Sequence, residues 1–145
     1  MYPNKITIHH TLTHDTKVPN WDAVRRWHKG ITKGSKYKMD DIGYHWGVDL
    51  IRKRYEILVG RLMTVKGAHV RGFNDENIGV ALIGNFDLAP PPKEQWDMAV
   101  DLVSSLCQLL FITKDKVRGH HEYDKHKSCP GKMFNMNRFR AEIQE

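Results

Sequence analysis

The chain has 145 residues, of which 40% are hydrophobic and 28% charged, with a formal net charge of +6. This length suits one domain with a hydrophobic core of its own, and no apolar run approaches the ~18–20 residues of a membrane span. The positive charge favours polyanionic partners such as nucleic acid, anionic membrane surfaces or anionic cell-wall polymers, and does not choose between them.

Two stretches in the first half of the chain predict strands. The sequence KITIHHT alternates Ile6 and Ile8 with polar neighbours, the pattern of a strand with one buried face. The residues ahead of it contain no apolar segment and no cleavage site, so we expect no signal peptide and accumulation in a cytoplasm. Further on, GYHWGVDLIRKRYEILVGR predicts two strands joined by a basic turn.

A short helix is predicted between these stretches, in VPNWDAVRRWHKGI. Val24, Trp27 and Ile31 recur at helical spacing and form its apolar stripe. Pro19 suits the first turn and Gly30 suits the end of the helix.

The second half predicts one buried strand and two helices. NIGVALIGNF is a short apolar run closed by glycines, which is typical of a strand buried on both faces. APPPKEQWDMAVDLVSSLCQLLF predicts a long amphipathic helix that starts after prolines, and FNMNRFRAEIQE a C-terminal helix. The apolar stripe of the long helix comprises Trp96, Ala99, Val100, Val103, Cys107 and Leu110. We therefore expect a single mixed α/β domain over residues 1–145, with a central mixed β-sheet flanked by α-helices.

One stretch concentrates metal-ligating side chains. GHHEYDKHKSCPG, residues 119–131, holds three histidines and Cys129 in a polar loop. A structural zinc site takes four protein ligands, whereas a catalytic site takes three and keeps one position open. His9 or His10, at the end of the first strand, can supply a third ligand, and strand alternation lets only one of them face an ion. From spacing alone, a metal site and a chance grouping among nine histidines remain equally favoured.

Four stretches together resemble the zinc-dependent N-acetylmuramoyl-L-alanine amidases, the type-2 amidase family. This family includes the phage amidase-type lysozymes, or endolysins, and the peptidoglycan recognition proteins. The stretches are IHHT, GYHW, GAHVRGFNDENIGVALIGNF and GHHEYDKHKSCPG, in the family's order. The resemblance is strongest to the phage branch. It implies the amidase fold, one zinc ion per chain, and hydrolysis of the amide between N-acetylmuramic acid and L-alanine.

The resemblance also implies roles for individual residues. The implied metal ligands are His9, His120 and Cys129. His121 is the alternative to His120, because the loop is one residue longer here than in the phage lysozymes. The implied catalytic residues are Tyr44 and Lys127, and the implied substrate-binding residues are His45, His69 and Asn74. For Asn74, in GFNDEN, two roles stay open, since its side chain can contact ligand or order the loop. Glu122 is expected to be an outer partner of the metal site, and a lone carboxylate does not supply the pair that a muramidase needs.

Two other functions remain open at this level. A peptidoglycan-binding module of the same fold would bind without cutting, but loss of the cysteine ligand accompanies loss of activity in this family, so Cys129 favours the enzyme. A nucleic-acid-binding protein suits the charge, but the chain lacks a basic-aromatic motif that reads bases.

The expected partner follows from the resemblance. It is bacterial peptidoglycan, bound by a monomer with no nucleic-acid partner and no stable membrane insertion. Some phage relatives bind the phage's own RNA polymerase, a role that the short segment before the first strand disfavours here. We expect the protein to wait in the host cytoplasm and to act on the cell wall, in the periplasm, at lysis.

Overall fold

The computed structural model describes residues 1–12 and 20–145, and these form a central sheet with helices on both faces. The strands are β1 (Lys5–His10), β2 (Trp46–Ile51), β3 (Arg54–Val59), β4 (Asn77–Leu82) and β5 (Val117–Gly119). The α-helices are α1 (Trp21–His28), α2 (Lys93–Leu110) and α3 (Met136–Glu142), with 3₁₀ turns at Lys114–Lys116 and His120–Glu122. None of the helices in these residues is long and apolar enough to cross a membrane.

The sheet is mixed, with the strand order β3-β2-β4-β1-β5. β1 runs parallel to both β4 and β5, and β2 runs parallel to β4. β2 and β3 form an antiparallel hairpin whose turn contains Arg52 and Lys53, as the sequence predicts. The predicted mixed α/β domain with a central sheet is confirmed.

The first strand is more buried than its sequence predicts. β1 lies between β4 and β5, and its polar residues Thr7, His9 and His10 are at most 5% exposed. The Thr7 hydroxyl donates a hydrogen bond of 2.7 Å to Oδ1 of Asn77 on β4, which satisfies both groups inside the sheet. The prediction of one solvent-facing side is therefore wrong, because the polar residues that suggested it are enclosed.

Helix α1 covers one face of the sheet through fewer residues than predicted. Trp21 and Val24 are buried, whereas Trp27 is 40% exposed and Ile31 is 58% exposed. The predicted stripe is therefore wrong beyond Val24, since the chain leaves the helix before Ile31 and Trp27 points to an open cavity. The backbone N–H of Trp21 donates to the buried carboxylate of Asp49 at 3.0 Å and ties the start of α1 to β2.

The described residues at the two ends of α1 agree with the helix ends that the sequence predicts. Asn20 caps the helix, with its side-chain oxygen accepting a hydrogen bond from the N–H of Ala23 at 2.9 Å. Gly30 follows the helix with φ +73°, a left-handed conformation that suits glycine at this end. Pro19 lies outside the described residues.

Helices α2 and α3 cover the opposite face and form the larger core. The predicted stripe of α2 is buried except for Leu110, which is partly buried at the edge. Cys107 is 3% exposed and unpaired, the small buried hydrophobe that its position predicts. β4 is buried along its whole length, also as predicted. The sheet is thus enclosed on both faces, and its carboxyl-terminal edge is where the loops of the candidate site meet.

Candidate metal centre and its pocket

Strand alternation in β1 turns His9 toward the face of the sheet that α1 covers. Ile6 and Ile8 pack into the core beneath α2, so Thr7 and His9 point to the other side. His10 returns to the α2 side, where its Nδ1 accepts a hydrogen bond of 3.0 Å from the N–H of Phe86. One histidine of the pair therefore joins the metal-ligating cluster, and the side chain of the other holds the loop after β4.

His9, His120 and Cys129 bring one ligand atom each within 4.8 Å of one another. Sγ of Cys129 lies 3.5 Å from Nδ1 of His9, and the rings of His9 and His120 have centroids 4.8 Å apart. Zinc–sulfur bonds of about 2.3 Å and zinc–nitrogen bonds of about 2.1 Å in a tetrahedron place such atoms roughly 3.6 Å apart. His9 and Cys129 are therefore spaced as two ligands of one ion. The described parts of the chain contain no second group of this kind.

The polarity of the cluster also fits a divalent cation. Burial lowers the pKa values of His9 and His120, which keeps both imidazoles in the neutral form that binds metals. Burial raises the pKa of Cys129 to about 12, so the thiolate needs a nearby positive charge. Two neutral imidazoles and one thiol that an ion can deprotonate form a donor set that suits zinc.

His121 lies beside the cluster but is held by the backbone. Its N–H and its Nδ1 lie 2.8 Å and 3.1 Å from the carbonyl oxygen of Cys129. Because a carbonyl only accepts hydrogen bonds, Nδ1 carries a hydrogen and donates. His121 therefore holds the loop that presents Cys129, while His120 joins the cluster. Of the two histidines left open by the longer loop, the geometry brings in His120.

A cavity of about 720 Å³ opens above the cluster. One wall is polar and is formed by His9, His69, His120, Lys127, Ser128 and Cys129. The other wall is mainly apolar and is formed by Leu12, Ala23, Val24, Trp27, Tyr37 and Met39. The site is therefore an open cleft with metal-ligating atoms in its lining, large enough for part of a polymeric substrate.

Tyr44 and Lys127, the predicted catalytic residues, both line this cavity. The ring of Tyr44 lies 5.1 Å from that of His9, and burial raises the pKa of its phenol well above the usual range. Tyr44 therefore remains a hydrogen-bond donor at neutral pH. Lys127 is exposed, and its positive charge adds to the effect of burial in lowering the pKa of His120.

The three predicted substrate-binding residues occupy different places. His69 lines the cavity, with Nδ1 3.0 Å from Nε2 of His9, and burial lowers its pKa to about 3. His45 is fully buried behind it, where Nδ1 accepts from the N–H of Gly79 and Nε2 donates to the carbonyl of Val65, both at 2.9 Å. With both ring nitrogens engaged by the backbone, His45 has none for a ligand, so a direct contact with substrate does not agree with its position.

Asn74 supports the loop that carries His69. Its Oδ1 accepts hydrogen bonds from the backbone N–H groups of His69 and Val70, at 2.9 Å and 2.8 Å. It does not line the cavity. Of the two roles that the sequence leaves open for Asn74, the geometry favours the ordering of its loop, since its amide oxygen binds two backbone N–H groups of that loop.

Glu122 agrees with the expectation of an outer partner. Its carboxylate accepts a hydrogen bond of 2.6 Å from the N–H of Gly119, directly before His120. It also forms an ion pair of 2.9 Å with Arg140 of α3. The carboxylate therefore braces the turn that delivers His120 and lies away from the cavity wall.

His28 is a residue of the cavity wall that sequence analysis missed. Its Nδ1 accepts a hydrogen bond of 2.9 Å from the N–H of Gly43, and its ring lies 5.4 Å from that of Tyr44. It therefore links the end of α1 to the segment that carries Tyr44. In the sequence, it reads only as a polar residue in the last turn of a helix.

Comparison with known proteins adds the family. Residues 1–132 match the Amidase_2 family, described as N-acetylmuramoyl-L-alanine amidase. The chain belongs to this amidase family. Among its relatives, peptidoglycan-recognition protein SD of Drosophila melanogaster is 37% identical over 101 residues, which are 69% of this chain and 52% of that protein. The endolysin of Klebsiella phage KP32 is 28% identical over 141 residues, which are 94% of this chain and 84% of the endolysin.

The structural comparison agrees with the family. The N-acetylmuramoyl-L-alanine amidase LysC from Clostridium intestinale URNW superposes on 98% of this chain with a TM-score of 0.81 and 25% identity, over 85% of its own length. The chain spans about half the length of peptidoglycan-recognition protein SD and most of the length of the phage endolysin. The resemblance to amidases, endolysins and peptidoglycan recognition proteins that the four sequence stretches indicate is therefore confirmed.

Proposed function

We propose that this chain is a zinc-dependent amidase that cleaves the bond between the lactyl carbonyl of N-acetylmuramic acid and the L-alanine of the stem peptide. The observation that carries the proposal is the cluster of His9, His120 and Cys129 on one wall of an open cavity, in a chain of the amidase family. Three protein ligands beside an open cleft match a catalytic zinc site, whereas a structural site would be closed by a fourth. Bound zinc would supply Lewis-acid chemistry that polarises the scissile carbonyl and acidifies a water.

The residues around the cluster would stabilise the charge that develops during the reaction. Amide hydrolysis builds negative charge on the carbonyl oxygen, and preorganised donors that face this oxygen lower the barrier. The phenol of Tyr44 stays protonated and its ring lies beside that of His9, so it would supply one such hydrogen-bond donor. Lys127 lines the same cavity and is exposed, and it would supply a positive charge for this oxygen.

A binding module of the same fold is the second candidate. The peptidoglycan-recognition proteins among the relatives favour it, since their names describe recognition. The complete set of two imidazoles and one thiol favours the enzyme, because binding alone does not require an assembled metal site. The match to the phage endolysin over 94% of this chain supports an endolysin role, in which a monomer is released from the host cytoplasm to lyse the wall from the periplasm.

Product analysis on purified peptidoglycan tests this function. The zinc-loaded protein should release stem peptides with new L-alanine amino termini, while the number of reducing sugar ends stays constant. A Cys129→Ala variant, which lacks one ligand, serves as the matched control and should release no stem peptides and create no new amino termini. New reducing ends would identify a glycosidase, new amino termini on another residue would identify an endopeptidase, and binding without any product would identify the binding module.

A further inference from the structure

We propose that His69 is a positioning residue that fixes the ring of His9 in the tautomer with hydrogen on Nε2, so that Nδ1 of His9 is presented to the metal. This inference rests on the metal site proposed above. It assigns His69 a function that acts through His9, in place of the substrate contact that the sequence suggests.

The direction of the hydrogen bonds starts at a backbone carbonyl. Nε2 of His69 lies 3.3 Å from the carbonyl oxygen of Asn77. A carbonyl only accepts, so this nitrogen carries the hydrogen of the His69 ring. The ring neighbours of His69 are His9, His45 and Tyr44, none of which offers the negative charge that would hold a second proton. Nδ1 of His69 is therefore an acceptor.

The next hydrogen bond sets the tautomer of His9. Nδ1 of His69 lies 3.0 Å from Nε2 of His9, and an acceptor at this distance requires the hydrogen of His9 to be on Nε2. The lone pair of His9 is then on Nδ1, the atom that lies 3.5 Å from Sγ of Cys129. The carbonyl of Asn77 thus determines, through two imidazoles, which nitrogen of His9 faces the cluster.

The position of His69 is itself built into the loop and the sheet. Its backbone N–H is bound by Asn74, as described above. Its ring fills the space over Gly79 of β4, where a Cβ would lie 2.7 Å from the ring. Any larger residue at position 79 would displace the ring, so the glycine makes room for it. Asn74 and Gly79 therefore act on the metal site through His69.

His69 lines the cavity, but its ring nitrogens are both occupied. Nε2 is bound to Asn77 and Nδ1 to His9, which leaves neither for a hydrogen bond to substrate. A histidine that donates its second nitrogen to an outer acceptor is the usual way to orient a metal ligand, and loss of such a partner costs about 10–100-fold in metal affinity. Here that outer acceptor is another histidine.

Two substitutions separate the hydrogen bond from the volume of the ring. His69→Asn keeps an acceptor, since the Asn oxygen takes the place of Nδ1, whereas His69→Leu removes the acceptor and fills similar space. In a chelator competition assay we expect His69→Leu to raise the zinc dissociation constant about 10–100-fold and His69→Asn to change it by no more than about threefold. Thermal unfolding of the zinc-free variants checks that both are folded.

A measurement on the zinc-free protein keeps this inference separate from the proposed function. Long-range ¹H–¹⁵N NMR reads the tautomer of His9 directly, and it should show hydrogen on Nε2 in the wild type and a mixture of tautomers in His69→Leu. Hydrogen on Nδ1 in the wild type would overturn the proposal. So would equal zinc affinity in a folded His69→Leu variant, or equal losses in the Leu and Asn variants. If the wild type takes up no zinc, the proposed function fails, while the tautomer still decides the role of His69.

Discussion

Oδ2 of Asp87 accepts a hydrogen bond of 2.8 Å from the hydroxyl of Ser128, the residue directly before Cys129. Oδ1 of the same carboxylate accepts another of 2.9 Å from the N–H of Lys132. The loop after β4 is thereby joined to both sides of the turn that carries the cysteine. The loop that presents Cys129 is therefore held by a carboxylate that does not line the cavity.

Replacing this carboxylate should loosen the turn. Asp87→Asn keeps an oxygen for Lys132 but loses the acceptor for Ser128, so we expect a loss of about 0.5–1.5 kcal/mol in the free energy of unfolding at neutral pH. The pKa of Asp87 is held below its usual value, chiefly by the hydrogen bond from Lys132. Its stabilising effect is thus present above the unfolded pKa near ~4 and is lost as pH falls through the folded pKa. Urea unfolding at several pH values checks this, and a difference between the two proteins that grows toward acid would contradict it.

Removal of single ligands should separate the metal site from its surroundings. His9→Ala, His120→Ala and Cys129→Ala should each lower the zinc content from about one ion per chain, because three ligands hold a catalytic ion. His121→Ala is the matched control and should keep zinc, since His121 is outside the ligand cluster and its backbone N–H still binds the carbonyl of Cys129. Metal analysis after dialysis measures this. Loss of zinc in His121→Ala with retention in His120→Ala would show that the two histidines exchange places.

Substitution of the two proposed catalytic residues should affect turnover without affecting metal content. Lys127→Ala and Tyr44→Phe each remove one of the groups proposed to stabilise charge, and the loss of one such donor typically costs about 100–1,000-fold in turnover. Zinc content should stay near that of the wild type, because neither residue belongs to the ligand cluster. Steady-state kinetics on a muropeptide checks both points. Near-normal turnover in Lys127→Ala would exclude that residue from catalysis.

The positive charge of the chain should increase activity on polymeric cell wall and not on small substrates. With a net charge of +6, the chain would be attracted to an anionic wall, and this attraction would weaken as the screening length shortens to about 10 Å at 0.1 M salt. Lysis of cell walls should fall as salt rises, whereas cleavage of a small neutral muropeptide should change much less. Equal salt sensitivity on the two substrates would place the effect in the site or in the stability of the domain.

Much of the fold could be predicted because local pattern decides it. The long stripe of α2, the all-apolar β4 and the basic hairpin turn each depend on residues close in sequence, and each prediction agrees with the structure. The structures of β1 and α1 differ from the sequence predictions because burial in these elements depends on residues distant in the chain. Thr7 is buried with its hydroxyl donating a hydrogen bond to the side-chain oxygen of Asn77. Trp27 is exposed because the cavity lies beside it.

In the candidate site too, local motifs could be predicted and contacts between distant residues could not. Sequence motifs identify His9, His120 and Cys129 as candidate ligands. Their proximity in space depends on β1 lying between β4 and β5. The role of His45 could not be predicted, and the two roles left open for Asn74 could not be separated, since a motif does not show whether the backbone occupies the polar atoms of a residue. His28 carried no signal at all, because its link to Gly43 joins a helix end to a loop.

The two donor atoms that lie 3.5 Å apart in the cluster belong to residues separated by 120 positions in the chain. An ion held between His9 and Cys129 would act as a reversible crosslink that closes a loop of most of the polypeptide. The unfolded chain does not preserve such a site, so free zinc would shift the unfolding equilibrium by mass action, by about 2.7 kcal/mol at one hundred times the dissociation constant. The thermal midpoint of this protein would then report the zinc concentration of its surroundings, and chelators would lower resistance to heat and proteolysis together with activity.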